Sequence, residues 1–155
     1  MNSKYPYPDS LQGLCTPEAF DHWLERKTRA LLKRDRKRGN PAATRESYKK
    51  AIHEAIVRSQ GLDEYTGLPL DWSLISTYDN IESKAKGRAY KKRFGNLPTV
   101  DHIGDGRGSP DFAICSWRVN DAKNDLSLDE FAELCQAVLN HRHQIRVNHT
   151  SAAAQ

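Results

Sequence analysis

Apolar residues recur at helical spacing in three stretches of the chain and gather into short runs elsewhere. Phe20, Trp23, Leu24 and Leu31 follow Thr16-Pro17, an N-cap with proline at the first helical position. Residues 17–38 therefore read as one helix, closed by Gly39-Asn40-Pro41. Tyr48, Ala51, Ile52, Ala55 and Ile56 form a second stripe, with Lys49, Lys50 and Arg58 off it, which predicts a helix over 45–60 stopped by Gly61. Ser127 and Glu130 make a capping box ahead of Phe131, Leu134, Cys135 and Val138, the start of a third helix.

Between these lie "LPTVDHI" (97–103) and "DFAICSW" (111–117), short β-rich runs joined by the glycine-rich "GDGRGSP". They predict a two-stranded hairpin with a long connecting loop, followed by a short helix in "VNDAKND". "EYTGLPLDWSLIS" (64–76) predicts a hairpin or a loop against the core, and residues 79–96 a polar surface loop with some helix. The first dozen residues are expected to be irregular, and residues 143–155 frayed or disordered. The fold class is α+β, with residues 1–60 as a helical arm packed on a core and residues 61–142 as that core with its C-terminal helix.

At 155 residues the chain has room for about one domain. No apolar run approaches the roughly 20 residues of a membrane helix, and the first residues lack the apolar stretch of a secretory signal, so the expected location is the cytoplasm. Cys15, Cys115 and Cys135 are odd in number and lack CxxC spacing, which argues against a disulfide framework or a cysteine zinc site.

The charge is uneven. Residues 1–60 carry thirteen Lys/Arg against seven Asp/Glu, whereas residues 94–155 carry five against eight. Arg26 to Arg38 alone hold eight basic residues and one acid, beyond an ordinary solvated face. A polyanion is the natural partner of such a segment, with phosphate contacts expected chiefly from Arg26, Arg29, Lys33, Arg36 and Lys37. Lys91, Lys92 and Arg93, set between Tyr90 and Phe94, are candidates to clamp a nucleic-acid backbone. Arg107, Arg118 and Lys123 are candidates to hold a phosphate group.

The candidate chemistry lies at the end of the first strand. An Asp101 carboxylate and an Asn120 carbonyl are hard oxygen ligands suited to Mg²⁺, Mn²⁺ or another divalent ion. A neutral His102 beside that ion can take a proton from water near pH 7. The remaining histidines, and the "HRH" of the last helix, read as ordinary side chains or adventitious ligands, and Trp23, Trp72 and Trp117 as core.

"VDHI" followed by "DFAICSWRVNDAK" resembles the HNH endonuclease pattern over roughly residues 61–132. That resemblance implies a ββα-metal core with flanking helices. It implies His102 as general base, Asp101 and Asn120 as catalytic metal ligands, Asp111 as the loop-bracing residue, and Lys123 in the place of the family's lysine. The chain departs from the family at two points. Asp111 stands where asparagine is usual, and Asp63, Thr66, Ser116 and Val119 occupy the places of two zinc-binding CxxC pairs, so no structural zinc is expected.

The reading that follows is a metal-dependent endonuclease acting on nucleic acid, with double-stranded DNA as the expected substrate. The alternative is a non-catalytic nucleic-acid-binding module on the same scaffold, its site spoiled by Asp111. Backbone contacts carry no base code, and cutting both strands with one site takes a homodimer or two successive nicks.

Overall fold

The computed structural model describes residues 4–152, apart from the side chains of Asn80 and of residues 147–152. The chain is α+β, with five helices and one antiparallel two-stranded sheet among the described residues. It divides into two compact units, Met1–Ala122 and Lys123–Gln155.

In the first unit, α1 (Pro17–Lys37) starts where Thr16 caps it by accepting from the Ala19 N–H at 3.2 Å. Helix α2 (Arg45–Ser59) starts with a capping box between Thr44 and Ser47 and ends as Gln60 turns left-handed at φ 52°. Their inward faces carry Phe20, Trp23, Leu24, Leu31, Tyr48, Ile52 and Ile56, all buried in one cluster with Trp72, Val100, Phe112 and Ile114. The N-terminal helices are therefore the main wall of the core, not an arm laid against it. The basic run of α1 also turns two charged residues inward. Lys27 donates to Thr99 Oγ1 at 2.9 Å, with burial pushing its ammonium down to about 8, and Asp35 is fully buried.

Strand β1 (Pro98–His102) pairs with β2 (Phe112–Ser116), placing Val100 opposite Ile114 and His102 opposite Phe112. Every residue of β2 is buried. The alternation of a half-exposed strand is absent because both faces are covered, and this is why the run reads as continuously apolar. The far edge of β2 is met by Glu64, whose N–H donates to the Ile114 carbonyl at 2.9 Å and whose Oε1 accepts the Ile114 N–H at 3.1 Å.

The segment expected as a hairpin or loop is a tight loop closed by one bridge, Leu62 to Pro69, and followed by a 3-10 turn over Trp72–Ser76. Asp63 organises it. Its Oδ1 accepts the N–H groups of Tyr65 and Thr66 at 2.9 and 3.1 Å, and its Oδ2 accepts the Ser116 N–H at 2.8 Å. Ser116 Oγ in turn accepts the Val119 N–H at 3.2 Å, at the start of the helix that follows β2. The four positions that would hold zinc in the HNH pattern are thus tied together by hydrogen bonds.

Residues 79–96, expected as a surface loop with some helix, are helical over most of their length. Helix α3 (Asn80–Arg93) is capped by Asp79 and kinked at Gly87, whose φ of 53° suits glycine. Helix α4 (Trp117–Lys123) begins directly after β2, its first N–H groups donating to the carbonyls of Leu97 and Gly95 at 2.9 and 3.0 Å.

In the second unit, α5 (Leu128–Ala152) opens on the expected Ser127–Glu130 capping box. It runs on through Ala152, so residues 143–152 are helical where fraying or disorder was expected, and 153–155 lie outside the described residues. Among the described residues no helix is long and apolar enough to cross a membrane.

Asp63 is 2% exposed, and its loss leaves three backbone N–H groups without their acceptor. Asp63→Ala should therefore destabilise the protein by about 3 kcal/mol in denaturant titrations. A change under about 0.5 kcal/mol would mean that the loop does not depend on this carboxylate.

Candidate active site

His102 closes β1, half-buried, with its ring edge against Phe112 at 4.9 Å between centroids. Its Nε2 lies 2.5 Å from Asp35 Oδ2. The same oxygen accepts the Tyr48 hydroxyl at 2.7 Å, so one carboxylate joins α1, α2 and the strand. The guanidinium of Arg34 contacts His102 Nδ1, and its Nε lies 3.5 Å from Asp35 Oδ1, an oxygen that is buried and makes no hydrogen bond. Neither Arg34 nor Asp35 was singled out in the sequence; Asp35 is the one acid among eight bases, and that exception is the signal that could have found it.

Burial, more than any other cause, holds the His102 imidazole below its ordinary value of 6.5; Arg34 adds to this and Asp35 opposes it. The ring is therefore neutral near pH 7 and able to accept a proton. Burial alone would raise the Asp35 carboxyl, but the hydrogen bonds from Tyr48 and His102 and the charge of Arg34 outweigh it, and Asp35 titrates below 3.8. Tyr48 is pushed up to about 12, first by burial and then by Asp35.

Asp101, next to His102 on β1, accepts the Tyr65 hydroxyl on Oδ2 at 2.8 Å. Burial and this carboxylate raise the Tyr65 phenol, which stays protonated as a donor. Asn120 is half-buried on α4, about one helical turn after Ser116 ends the strand that pairs with β1. One carboxylate and one amide carbonyl make the sparse, hard-oxygen donor set that Mg²⁺ typically takes together with waters and a substrate phosphate. Among the described residues no group of three or more His, Cys, Asp and Glu side chains is placed to hold a metal ion.

The loop between the strands is braced by a different residue from the one expected. Asp111 is exposed and contributes its backbone carbonyl to the Ile103 N–H at 3.0 Å. Bracing needs a donor for loop carbonyls, which a carboxylate cannot supply. Asn40 supplies it from the α1–α2 connection: its Nδ2 donates to the Gly106 and Gly108 carbonyls at 2.9 and 3.1 Å, and its Oδ1 accepts the Ala42 N–H at 3.1 Å. Gly106 sits against Asp35 at φ 72°, where an added Cβ would come within 3.3 Å of Oδ1. The sequence offered Asn40 only as part of a helix stop.

The expected phosphate contacts separate into two groups. Lys33, Lys37, Lys92 and Arg107 are exposed, as is Arg118, whose guanidinium covers Gly95. Lys91 lies over Trp117 and 3.8 Å from Asp121, and Arg93 lies over Phe94. A cleft of about 830 Å³ between α3 and α4 gathers Arg88, Lys91, Lys92 and Arg118 around Trp117. Other residues are engaged in holding the fold. Arg26 donates to the Ile75 carbonyl, Arg29 pairs with Glu25, and Arg36 donates to the Ala43 carbonyl. Lys123 is a correction: it is 5% exposed and its ammonium donates to the Leu126 carbonyl at 2.6 Å, because it closes the end of α4 instead of facing solvent.

The chain matches no protein-family model, and the comparisons with curated proteins and with solved structures gave no match.

His102 and Asp35 both hold their protons less tightly folded than unfolded, so stability should fall as pH drops below about 6.5 and fall further through the carboxylate range. In denaturation midpoints measured from pH 8 to pH 4, His102→Gln should remove the decline between pH 6.5 and 5. A His102→Gln profile parallel to the parent's would show that the imidazole does not titrate this way.

Proposed function

We propose that the chain is a divalent-metal-dependent endonuclease of the HNH kind, with β1, β2 and α4 as its ββα core, hydrolysing phosphodiester bonds in DNA. The observation that carries this reading is a neutral histidine at a strand end, held by a buried carboxylate, directly beside an aspartate that a tyrosine hydroxyl orients. His102 takes the proton of the attacking water, and Asp101 and Asn120 are the residues that would hold the cation. When bound, Mg²⁺ or Mn²⁺ supplies stabilisation of the charge that develops on the phosphate and the leaving oxygen. Arg34 is exposed and reaches the rim of the ring, where an incoming phosphate competes with His102 Nδ1 for its guanidinium. Lys33, Lys37 and the cleft beside Trp117 would carry backbone contacts, and a cytoplasmic location fits this role.

Purified protein with supercoiled plasmid and Mg²⁺ or Mn²⁺ should nick the DNA, and EDTA should stop it. His102→Ala should leave DNA binding nearly unchanged and slow cleavage by about 10² to 10⁴, the usual worth of a general base. Cleavage at the parent's rate would take His102 out of the chemistry.

A second reading, a nucleic-acid-binding module that does not cut, is favoured by one observation: Arg34 already occupies the nitrogen that would receive the proton. It would give salt-sensitive binding without nicking. Under either reading, Lys33→Glu with Lys37→Glu should weaken DNA binding and lower its salt slope by about two. An unchanged slope would make that face of α1 ordinary solvated surface.

A further inference from the structure

We infer that Asp35 is the positioning residue of the site: with Arg34 it fixes which nitrogen of His102 carries the proton, leaving Nδ1 as the basic atom. The inference deepens the nuclease reading and rests on it for its catalytic meaning, but its physical content stands on the geometry around the ring.

A carboxylate only accepts hydrogen bonds and a guanidinium only donates them. Asp35 Oδ2 lies 2.5 Å from Nε2, so that contact requires the proton on Nε2. Arg34 meets Nδ1 closely and lies farther from Nε2, at 3.2 Å, so it requires the lone pair on Nδ1. Two groups of opposite character thus impose the same tautomer from the two sides of one ring. The carboxylate is itself held in place: Tyr48 donates to Oδ2, and on the Oδ1 side the backbone of Gly106 closes to a distance that leaves no room for a larger residue without a shift. Asn40, buried and bonded to the Gly106 and Gly108 carbonyls, keeps that loop against it.

The consequence for chemistry is direct. Once an incoming phosphate draws the Arg34 guanidinium off Nδ1, that nitrogen can take a proton from the attacking water, and the ring becomes an imidazolium with a buried carboxylate already bonded to its other N–H. The charge forms where an opposite charge waits, and the ring need not reorient. A histidine hydrogen-bonded only to Phe112's neighbours or to solvent would have neither advantage.

The test is a long-range ¹⁵N–¹H spectrum of the full chain, with the His102 signals assigned by their loss in His102→Gln. The expected result at pH 8 is a single tautomer with the proton on Nε2. Tyr48→Phe, which leaves the Asp35–His102 contact, should keep it. Asp35→Leu combined with Arg34→Leu, which removes both the acceptor at Nε2 and the donor at Nδ1, should give a mixture of tautomers. Asp35→Asn keeps an acceptor oxygen without the charge, and should lower kcat at least tenfold with KM unchanged. A proton on Nδ1 in the parent protein overturns the inference, as does a folded Arg34→Leu/Asp35→Leu variant with the parent's single tautomer. If that double variant does not fold, the tautomers of the parent and of Tyr48→Phe decide the question alone. The spectrum needs no substrate, so a chain that cuts no nucleic acid would end the nuclease reading while this result still stood or fell by the tautomer.

Discussion

A two-stranded sheet of five-residue strands cannot persist by itself in water, and the rest of this structure follows from covering it. Helix α2 packs Tyr48 on Phe112 of β2, and α1 packs Trp23 on Trp72 of the neighbouring 3-10 turn, each pair edge to face and each ring fully buried. Glu64 occupies the open edge of β2 with two hydrogen bonds to one residue, and Asp63 fastens the same loop to the turn into α4. These bonds fix the middle of β2 and its junction with α4, and Asn40 holds the loop at the other end of the hairpin.

The same covering brings charge into the interior. An acid and a lysine from the basic run of α1 face the sheet, and each is engaged: Lys27 with Thr99, Asp35 with Tyr48 and His102. A buried carboxylate between two donors is costly to desolvate and costly to disturb once paired. Its placement against the histidine, and not elsewhere in the core, is what turns a packing contact between α1 and the hairpin into a site with chemical directionality.

At two points where the chain differs from the HNH pattern it resembles, hydrogen bonds fill the place. Where that pattern has two zinc-binding pairs, Asp63 accepts three backbone N–H groups. Where it has an asparagine within the hairpin loop, Asn40 bonds the loop from outside. Lys123, at a position that matches the pattern's lysine, is turned to the Leu126 carbonyl just past its own helix. At both points of difference the role is defined by donors and acceptors at a place in space, and residues remote in sequence can fill it.

The chain by itself determined most of the elements. Caps at Thr16 and Ser127, stripes at helical spacing, and two β-rich runs around a glycine-rich loop are local signals, and local backbone energetics obey them; α3 and the last turns of α5 carry no apolar stripe of that kind and were not legible. It also determined that Asp101 and His102 would end one strand and that Asn120 would follow the other, because strand and helix order are written in series. Tertiary structure decided the partners. Asp35 lies 67 residues from His102, Asn40 lies 66 from Gly106, and Tyr65 lies 36 from Asp101. No periodicity encodes such pairings; they arise when apolar faces close on the hairpin and the few polar groups carried inward must find one another. The same closure fixed which basic residues of α1 remain exposed, since spacing marks a helix face but not what packs against it.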